Sequence, residues 1–258
     1  MLLATYNVNG IRARLSTLLA WLDKDQPDIV ALQETKSLDE SFPFDAFALA
    51  GYQVSCVGQK SFNGVAILSK VQPDETIFAL KGQEHLGARF LAARFGHLWI
   101  LNTYVPQGRA ADNPMFQEKL AFLQAMGQYI KTAFKPLDHI IWLGDINVAP
   151  HEMDVYDPVK LNGQMGFHPQ ERALLLQVMQ DCQLTDLFRH LNPDEKMYTF
   201  WDYRAPNGFK RDLGWRIDHM LVSAPLAAAC HKCWVEKQMR GQEKPSDHAP
   251  LVALYAAP

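Results

Sequence analysis

Four short apolar segments of this chain run directly into clusters of polar residues, and this arrangement restricts the possible folds more than any other feature. Leu2–Tyr6 leads into Asn7-Val8-Asn9-Gly10, and Ile29–Leu32 into Gln33-Glu34-Thr35-Lys36. Leu98–Thr103 leads into Tyr104-Val105-Pro106-Gln107-Gly108, and Ile140–Leu143 into Gly144-Asp145-Ile146-Asn147. Two further polar blocks, Trp215-Arg216-Ile217-Asp218-His219 and Ser246-Asp247-His248-Ala249-Pro250, stand beside apolar runs near the end of the chain. Strand ends on a rigid core hold several groups in fixed relative positions.

The segments expected as strands are 2–6, 28–33, 52–57, 64–69, 97–104, 139–143, 217–222 and 251–255, all rich in Val, Ile, Leu and aromatics. Helical spacing interleaves with them. Leu15, Leu18, Leu19 and Leu22 share one face, as do Phe116, Leu120, Leu123, Gly127 and Ile130. A third helix is expected to start at Pro169 and to carry Leu174, Leu175 and Val178 on one face. Mixed strands and helices with several close strand pairs predict an α/β or α+β fold with antiparallel pairing. The pattern does not give the strand order. No repeat and no Gly/Ser/Pro-rich linker divides the 258 residues, so one domain spanning 1–258 is expected.

Composition enters through what it excludes. Apolar residues are 48% of the chain, which rules out wholesale disorder, and the formal net charge of −3 rules out a strongly basic coat protein. A nucleic-acid enzyme with a local basic patch stays open. No run is long and apolar enough to span a bilayer, and MLLATYNVNG has no secretory pattern, so no membrane association and a cytoplasmic location are expected. The four cysteines are then read as free thiols. Cys230-His231-Lys232-Cys233 has the spacing of half a zinc site or a redox pair. No second pair of soft ligands exists to close a zinc cage, so these thiols are read as incidental.

The polar blocks form a coherent chemical set. Glu34, Asp145, Asp218 and Asp247 are acidic, Asn7 and Asn147 are neutral amides, and His248 is a candidate acid/base or phosphate partner. Carboxylate and amide oxygens are hard ligands suited to Mg²⁺ or Mn²⁺. Hard metal, histidine and amide donors together suit displacement at phosphorus. Taken singly, each residue has a plainer reading as a turn, cap, surface or core residue. Compatible groups at six positions shift the balance toward a site.

These blocks carry a resemblance. YNVNGIRA (6–13), LQETK (32–36), NGVAILSK (63–70), NTYVPQG (102–108), GDINVAP (144–150), YTFWDYR (198–204), GWRIDH (214–219) and SDHAP (246–250) run nearly end to end. Together they resemble the exonuclease III family of DNA-repair nucleases, which includes AP endonucleases, within the endonuclease/exonuclease/phosphatase superfamily. The resemblance implies a DNase I-like four-layer α/β sandwich: two packed mixed β-sheets flanked by helices, with the site at one sheet edge. It implies an Mg²⁺-dependent phosphodiesterase, with Mn²⁺ as a possible substitute. The expected activities are 3′→5′ exonuclease on duplex DNA, cleavage at abasic sites, and removal of 3′ phosphates or phosphodiesters. A monomer is the default.

The resemblance also implies roles. Glu34 would hold the metal with Asn7 beside it, and Asp145, Asn147, Asp247 and His248 would complete its surroundings. Asp145 would orient or deprotonate water, Asn147 and Tyr104 would bind the scissile phosphate, and His248, oriented by Asp218, would contact a non-bridging oxygen. Asn9 stands where some members carry Asp. Phe200, Trp215 and Ile217 would wall a pocket for a flipped abasic sugar. Arg204, Lys210 and Arg211 would form a DNA-contacting loop, with Arg12, Lys36, Gln107 and Arg109 as further contacts. Trp201 and Tyr203 are read as core residues. His168 departs from the family pattern. Its plainer reading is a tolerated substitution, and the sharper one is that it weakens abasic-site cleavage while sparing 3′ ends.

Three other functions are weighed. A phosphatase or phosphodiesterase with a non-DNA substrate keeps the catalytic core, but YTFWDYR and GWRIDH argue against it. A 3′-end-processing nuclease weak at abasic sites follows from the sharper reading of His168. A binding module without catalysis should have lost Glu34, Asp145, Asp218 or His248, and all four are present.

Overall fold

In the computed structural model, residues 1–256 are described; the last two residues of the span read as one domain lie outside the described residues. The elements in chain order are β1 (Leu2–Asn7), α1 (Ile11–Asp25), β2 (Ile29–Gln33), α2 (Phe44–Leu49), β3 (Gln53–Val57), β4 (Val65–Ser69), β5 (Glu75–Ile77), β6 (Phe90–Phe95), β7 (Leu98–Tyr104) and α3 (Pro114–Ala133). They continue with β8 (His139–Asp145), α4 (Pro158–Leu161), α5 (Pro169–Asp181), β9 (Leu184–Asp186), α6 (Leu187–Leu191), β10 (Asp218–Ser223), α7 (Ala224–Ala229), β11 (Cys230–Val235) and β12 (Leu251–Tyr255).

The strands form two six-stranded sheets, in the orders β11-β12-β1-β2-β4-β3 and β5-β6-β7-β8-β10-β9. Pairing is antiparallel except at β1/β2 and β7/β8, the parallel pairs bridged by α1 and α3. A parallel pair needs such a crossover helix. The core between the sheets takes Leu3, Ala31, Ile100, Ile141, Leu143, Met220 and Val222. The outer face of the second sheet packs Leu101, Ile140 and Trp142 against Phe122, Leu123 and Met126 of α3. The outer face of the first sheet packs Ala4 and Tyr6 against Leu18, Trp21 and Leu22 of α1. The expected four-layer, DNase I-like sandwich is therefore what the chain forms.

Helix starts follow local chemistry. Asn113 caps α3 by accepting from Met115 N at 3.0 Å, with Pro114 in the first turn. At α5, His168 takes the capping position, accepting from Gln170 N through Nδ1, and Glu171 reaches back to His168 N at 2.8 Å. A Cβ at Gly127 would lie 3.0 Å from Val178 Cγ1, so glycine there lets α3 and α5 pack closely.

The eight expected strands are present, but β5, β6, β9 and β11 were not anticipated. β5 and β9 are three residues long, too short to show alternation. β11 contains Cys230 and Cys233. A register shift between Cys230 and Lys232 inserts an extra residue, which turns both thiols inward despite their spacing of three. All four cysteines are free. Leu175 and Val178 are buried on α5, while Leu174 is only partly buried.

Candidate active site

Strand parity assembles the site. Residues alternate between the faces of a strand. In β1 Leu3 points between the sheets, so Asn7 carries the same facing; in β8 Ile141 and Leu143 do so, and Asp145 follows. β10 starts with Asp218 in the parity of Met220 and Val222, and its antiparallel register sets Asp218 opposite Asp145. These groups come from both sheets and meet at one edge. Just inside them, Gln33 donates to Thr5 Oγ1 at 2.9 Å and to Asn102 Oδ1 at 2.8 Å. Asn102 donates in turn to the Leu32 and Ala66 carbonyls, pinning the sheets together with buried polar bonds.

The edge itself is a hydrogen-bonded string. Asn7 Nδ2 donates to Asp145 Oδ2 at 2.8 Å, and Asp145 Oδ1 accepts from Asn147 N at 3.0 Å. Asn147 Nδ2 donates to the Val105 carbonyl at 2.9 Å. His248 Nδ1 pairs with Asp218 Oδ2 at 2.8 Å, while Nε2 faces Asp145 Oδ2 at 3.8 Å. Ser246 Oγ donates to the Asn7 carbonyl at 2.7 Å and accepts from His248 N, tying the last polar block to the first. Asn7, Asp145, Asp218 and His248 are all buried.

Five of the twelve left-handed non-glycine residues among the described residues stand here. Asn9, Glu34, Lys36, Arg109 and Asn147 all adopt left-handed φ values between 45° and 61°. Such residues persist only where their surroundings over-determine them, and they cluster at functional sites.

Electrostatics separates the roles. Burial raises the Asp145 carboxyl well above the usual carboxylate range, and the His248 ring only partly offsets that. Burial opposes charge on His248, but Asp218 and then Asp145 outweigh it and hold the imidazolium far above its ordinary range. Burial keeps the Tyr104 phenol protonated, and Arg89 lies over its ring at 4.7 Å.

These groups face a cleft of about 710 Å³, lined by Glu34, Lys36, Tyr104, Gln107, Arg109, Asp145, Asn147, Asp247 and His248 on its polar side. Phe200, Trp215 and Ile217 line its apolar side, and Arg204 stands at its lip. The Phe200 ring packs on His248 at 4.9 Å. Donor atoms of Asp145, Asp218 and His248 lie within 4.8 Å of one another, consistent with a metal site. The buried Asp218 Oδ1 has no hydrogen-bond partner. The Lys36 ammonium sits 3.0 Å from Glu34 Oε1 and also donates to Asn9 Oδ1. The oxygens that attract this cation, with Asp247 beside them, have the donor chemistry of a hard divalent ion.

The sequence model of the endonuclease/exonuclease/phosphatase family matches residues 4–248. The chain belongs to this family. An exodeoxyribonuclease III from Haemophilus influenzae is 36% identical, over 97% of this chain and 98% of that one. The structure of an AP endonuclease from Archaeoglobus fulgidus superposes with a TM-score of 0.96 at 38% identity, covering 100% of each chain. The structure of the 3′ phosphatase NExo from Neisseria, bound to a product DNA hairpin, gives 0.94 at 35% identity, again over 100% of each.

As a member of the endonuclease/exonuclease/phosphatase family, the chain brings most of the expected residues to one cleft, but four stand outside it. Arg12 is exposed and donates to the Ser41 carbonyl at 3.0 Å. Lys210 and Arg211 are exposed on the loop after Arg204 and do not line the cleft. His168 caps α5 and packs edge-on against Phe116 at 4.9 Å, behind the cleft wall. Arg204 faces the cleft while paired with Asp202 at 2.8 Å. Trp201 is buried as expected, whereas Tyr203 is 48% exposed and lines the cleft, correcting its reading as core. Its hydroxyl bonds Arg14 and the Pro245 carbonyl, partners 189 and 42 residues away, and no local pattern marks them. Asn9 was noted only as a substitution, yet its Nδ2 donates to Asp247 Oδ1 at 2.9 Å. Arg89 and Lys119 gave no interpretable signal at all.

Among the described residues, no helix is long and apolar enough to cross a membrane.

Proposed function

We propose that this protein is a divalent-metal-dependent DNA-repair phosphodiesterase of exodeoxyribonuclease III type. Its substrate would be duplex DNA with abasic sites or with recessed or blocked 3′ ends. We read the whole chain, 1–258, as one catalytic unit that acts as a monomer, and we place it in the cytoplasm, where its free thiols stay reduced. One observation carries the reading: the buried Asp218–His248–Asp145–Asn7 string lies under a cleft with one polar and one apolar wall. That floor suits phosphoryl chemistry, and the apolar wall suits a sugar stripped of its base.

Glu34, with Asn7 and Asp247 close by, would hold Mg²⁺ or Mn²⁺, which neutralises charge on the phosphate when bound. Asp145 accepts a proton from the attacking water, a task suited to a carboxylate whose affinity for protons burial has raised. Asn147 and the protonated Tyr104 donate hydrogen bonds to phosphoryl oxygens. His248 offers Nε2–H to a non-bridging oxygen, and Asp218 fixes the ring through Nδ1. Phe200, Trp215 and Ile217 admit a baseless sugar flipped from within a duplex and exclude a flipped internal nucleotide that keeps its base. Lys36, Gln107, Arg109 and Arg204 contact DNA phosphates.

A narrower reading has one observation in its favour. His168 caps α5 two residues after Gly163–Gly166, which lines the cleft, so this cap would set the position of that wall, restricting internal sites while leaving 3′ ends accessible. Three labelled duplexes test both readings: an internal abasic site, a recessed 3′-hydroxyl, and a 3′-phosphate at a nick. Cleavage of all three, lost in Asp145→Asn and His248→Ala with DNA affinity kept, supports the broad reading. Activity confined to 3′ ends supports the narrow one. No cleavage of any duplex in Mg²⁺ or Mn²⁺ overturns both.

A further inference from the structure

Lys119 and Glu171 are fully buried and belong to none of the groups given a role above. They stand on α3 and α5, and their side chains form an ion pair between the two helices. The Lys119 ammonium reaches two further oxygens, the Asn147 carbonyl at 2.7 Å and the Gln107 carbonyl at 3.4 Å. Glu171 also accepts from His168 N at 2.8 Å. The ammonium thus donates to two cleft-loop carbonyls while its charge is paired with one carboxylate. A Cβ at Gly108 would lie 3.3 Å from Lys119 Cδ, so the 107–109 loop rests on the lysine stem as well.

A buried ion pair is a poor device for stability alone, because desolvation consumes most of the attraction. What this pair holds is informative. Asn147 is left-handed at φ 56°, a region asparagine tolerates better than most residues, so its exact peptide orientation is left to its partners. Its N–H is fixed by Asp145 and its side chain by the Val105 carbonyl. Its carbonyl has Lys119, and the next carbonyl, of Val148, pairs with His219 Nε2 at 2.7 Å. Lys119 therefore sets the peptide plane that leads from Asn147 into Val148.

We propose that Lys119, braced by Glu171, is a positioning residue for phosphoryl transfer, holding Asn147 and the Gln107 loop in the geometry that receives the phosphate. This rests on the role given to Asn147 above.

The test uses full-length protein with Mg²⁺ on the best-cleaved duplex, measuring kcat, KM and thermal midpoint. Lys119→Met leaves a buried carboxylate unpaired and can fail to fold. The double variant Lys119→Met/Glu171→Leu removes both charges, and because it also takes partners from two carbonyls and the His168 N–H it is expected to fold with a thermal midpoint lowered by several degrees. It should lose about 10²-fold in kcat with little change in KM, the cost of a misplacement on the order of 1 Å. In an Asn147→Ala background the same pair of changes should add almost nothing. A double variant with wild-type kcat, or losses that multiply in the Asn147→Ala background, would overturn the proposal. A crystal structure of the double variant judges it without any substrate: an Asn147 peptide in its original orientation sinks it, and a rotated one supports it. Failure of wild-type protein to cleave any duplex would instead overturn the functional reading.

Discussion

Asp218 Oδ2 lies 2.8 Å from His248 Nδ1, so one ring nitrogen is committed to a buried carboxylate and the other is left facing Asp145 and the cleft. The pairing fixes both ring orientation and charge. It accounts for an imidazolium that persists above the ordinary histidine range although burial opposes it.

Replacing Asp218 by Asn should therefore act through His248. The raised pKa means the cation is present at low and neutral pH and is lost as pH rises through the folded value. Without the Asp218 charge that value falls, so the alkaline limb of the kcat profile should move down by at least about one pH unit. At pH 8 the rate should fall by about 10²-fold. A pH–rate series on Asp218→Asn checks this, and an unmoved alkaline limb would refute it.

Metal dependence gives a second test. EDTA should abolish cleavage, and Mg²⁺ or Mn²⁺ should restore it. Glu34→Gln weakens the hard-oxygen set in the cleft and should raise the Mg²⁺ needed for half-maximal rate by about tenfold or more. Titrating Mg²⁺ against both proteins reads this directly; equal half-maximal concentrations would remove Glu34 from the metal site.

Arg216 anchors a buried charge cluster under the cleft wall. It donates from Nε and Nη2 to Asp154 at 2.7 and 3.0 Å, and from Nη1 and Nη2 to Asp186 at 3.1 and 2.7 Å. Burial alone would raise both carboxyls, but Arg216 outweighs it and holds both below the usual range. A depressed folded pKa contributes stability above the unfolded value near ~4, lost as pH falls through the folded one. Arg216→Met takes both guanidinium bonds from buried Asp186 and leaves Asp154 with Arg189 alone, and should cost about 3–5 kcal/mol at pH 7. The deficit should shrink below about pH 4, as the wild type loses the same contribution. Urea unfolding at pH 7 and pH 3 measures the difference; a deficit that grows in acid would contradict the linkage.

Gly144 precedes Asp145 at φ 131°, and a Cβ there would lie 2.0 Å from the Thr103 carbonyl oxygen of the neighbouring strand. Gly144→Ala must push β7 and β8 apart where they carry Tyr104 and Asp145. Overpacking and backbone strain together should cost about 3 kcal/mol or more. Unfolding curves and kcat should both suffer, and a variant with a wild-type midpoint would show that the strands can separate freely.

Much of the site was legible because it lies at strand ends. Apolar runs stopped at Asn7, Glu34, Tyr104 and Asp145, and period-two alternation turned those ends toward the core. Other parts left no local trace. Lys119 reads as an ordinary helix lysine until α3 is laid against α5, and Tyr203 reads as one more aromatic until Arg14 is brought across to it. Arg12, Lys210 and Arg211, expected as DNA contacts, are exposed and do not line the cleft, a placement that charge in a segment does not give.

By itself the amino-acid order determined eight of the twelve strands, the helix start at Pro169 and the oxygen-rich chemistry of the polar blocks. These depend on residues a few positions apart, and local sterics and hydrogen bonding suffice to set them. The tertiary structure decided the order of twelve strands, the meeting of Asn7 with Asp145 across 138 residues, and the buried braces beneath Asn147. Those depend on which apolar faces pack together, and burial is non-directional until the whole core closes.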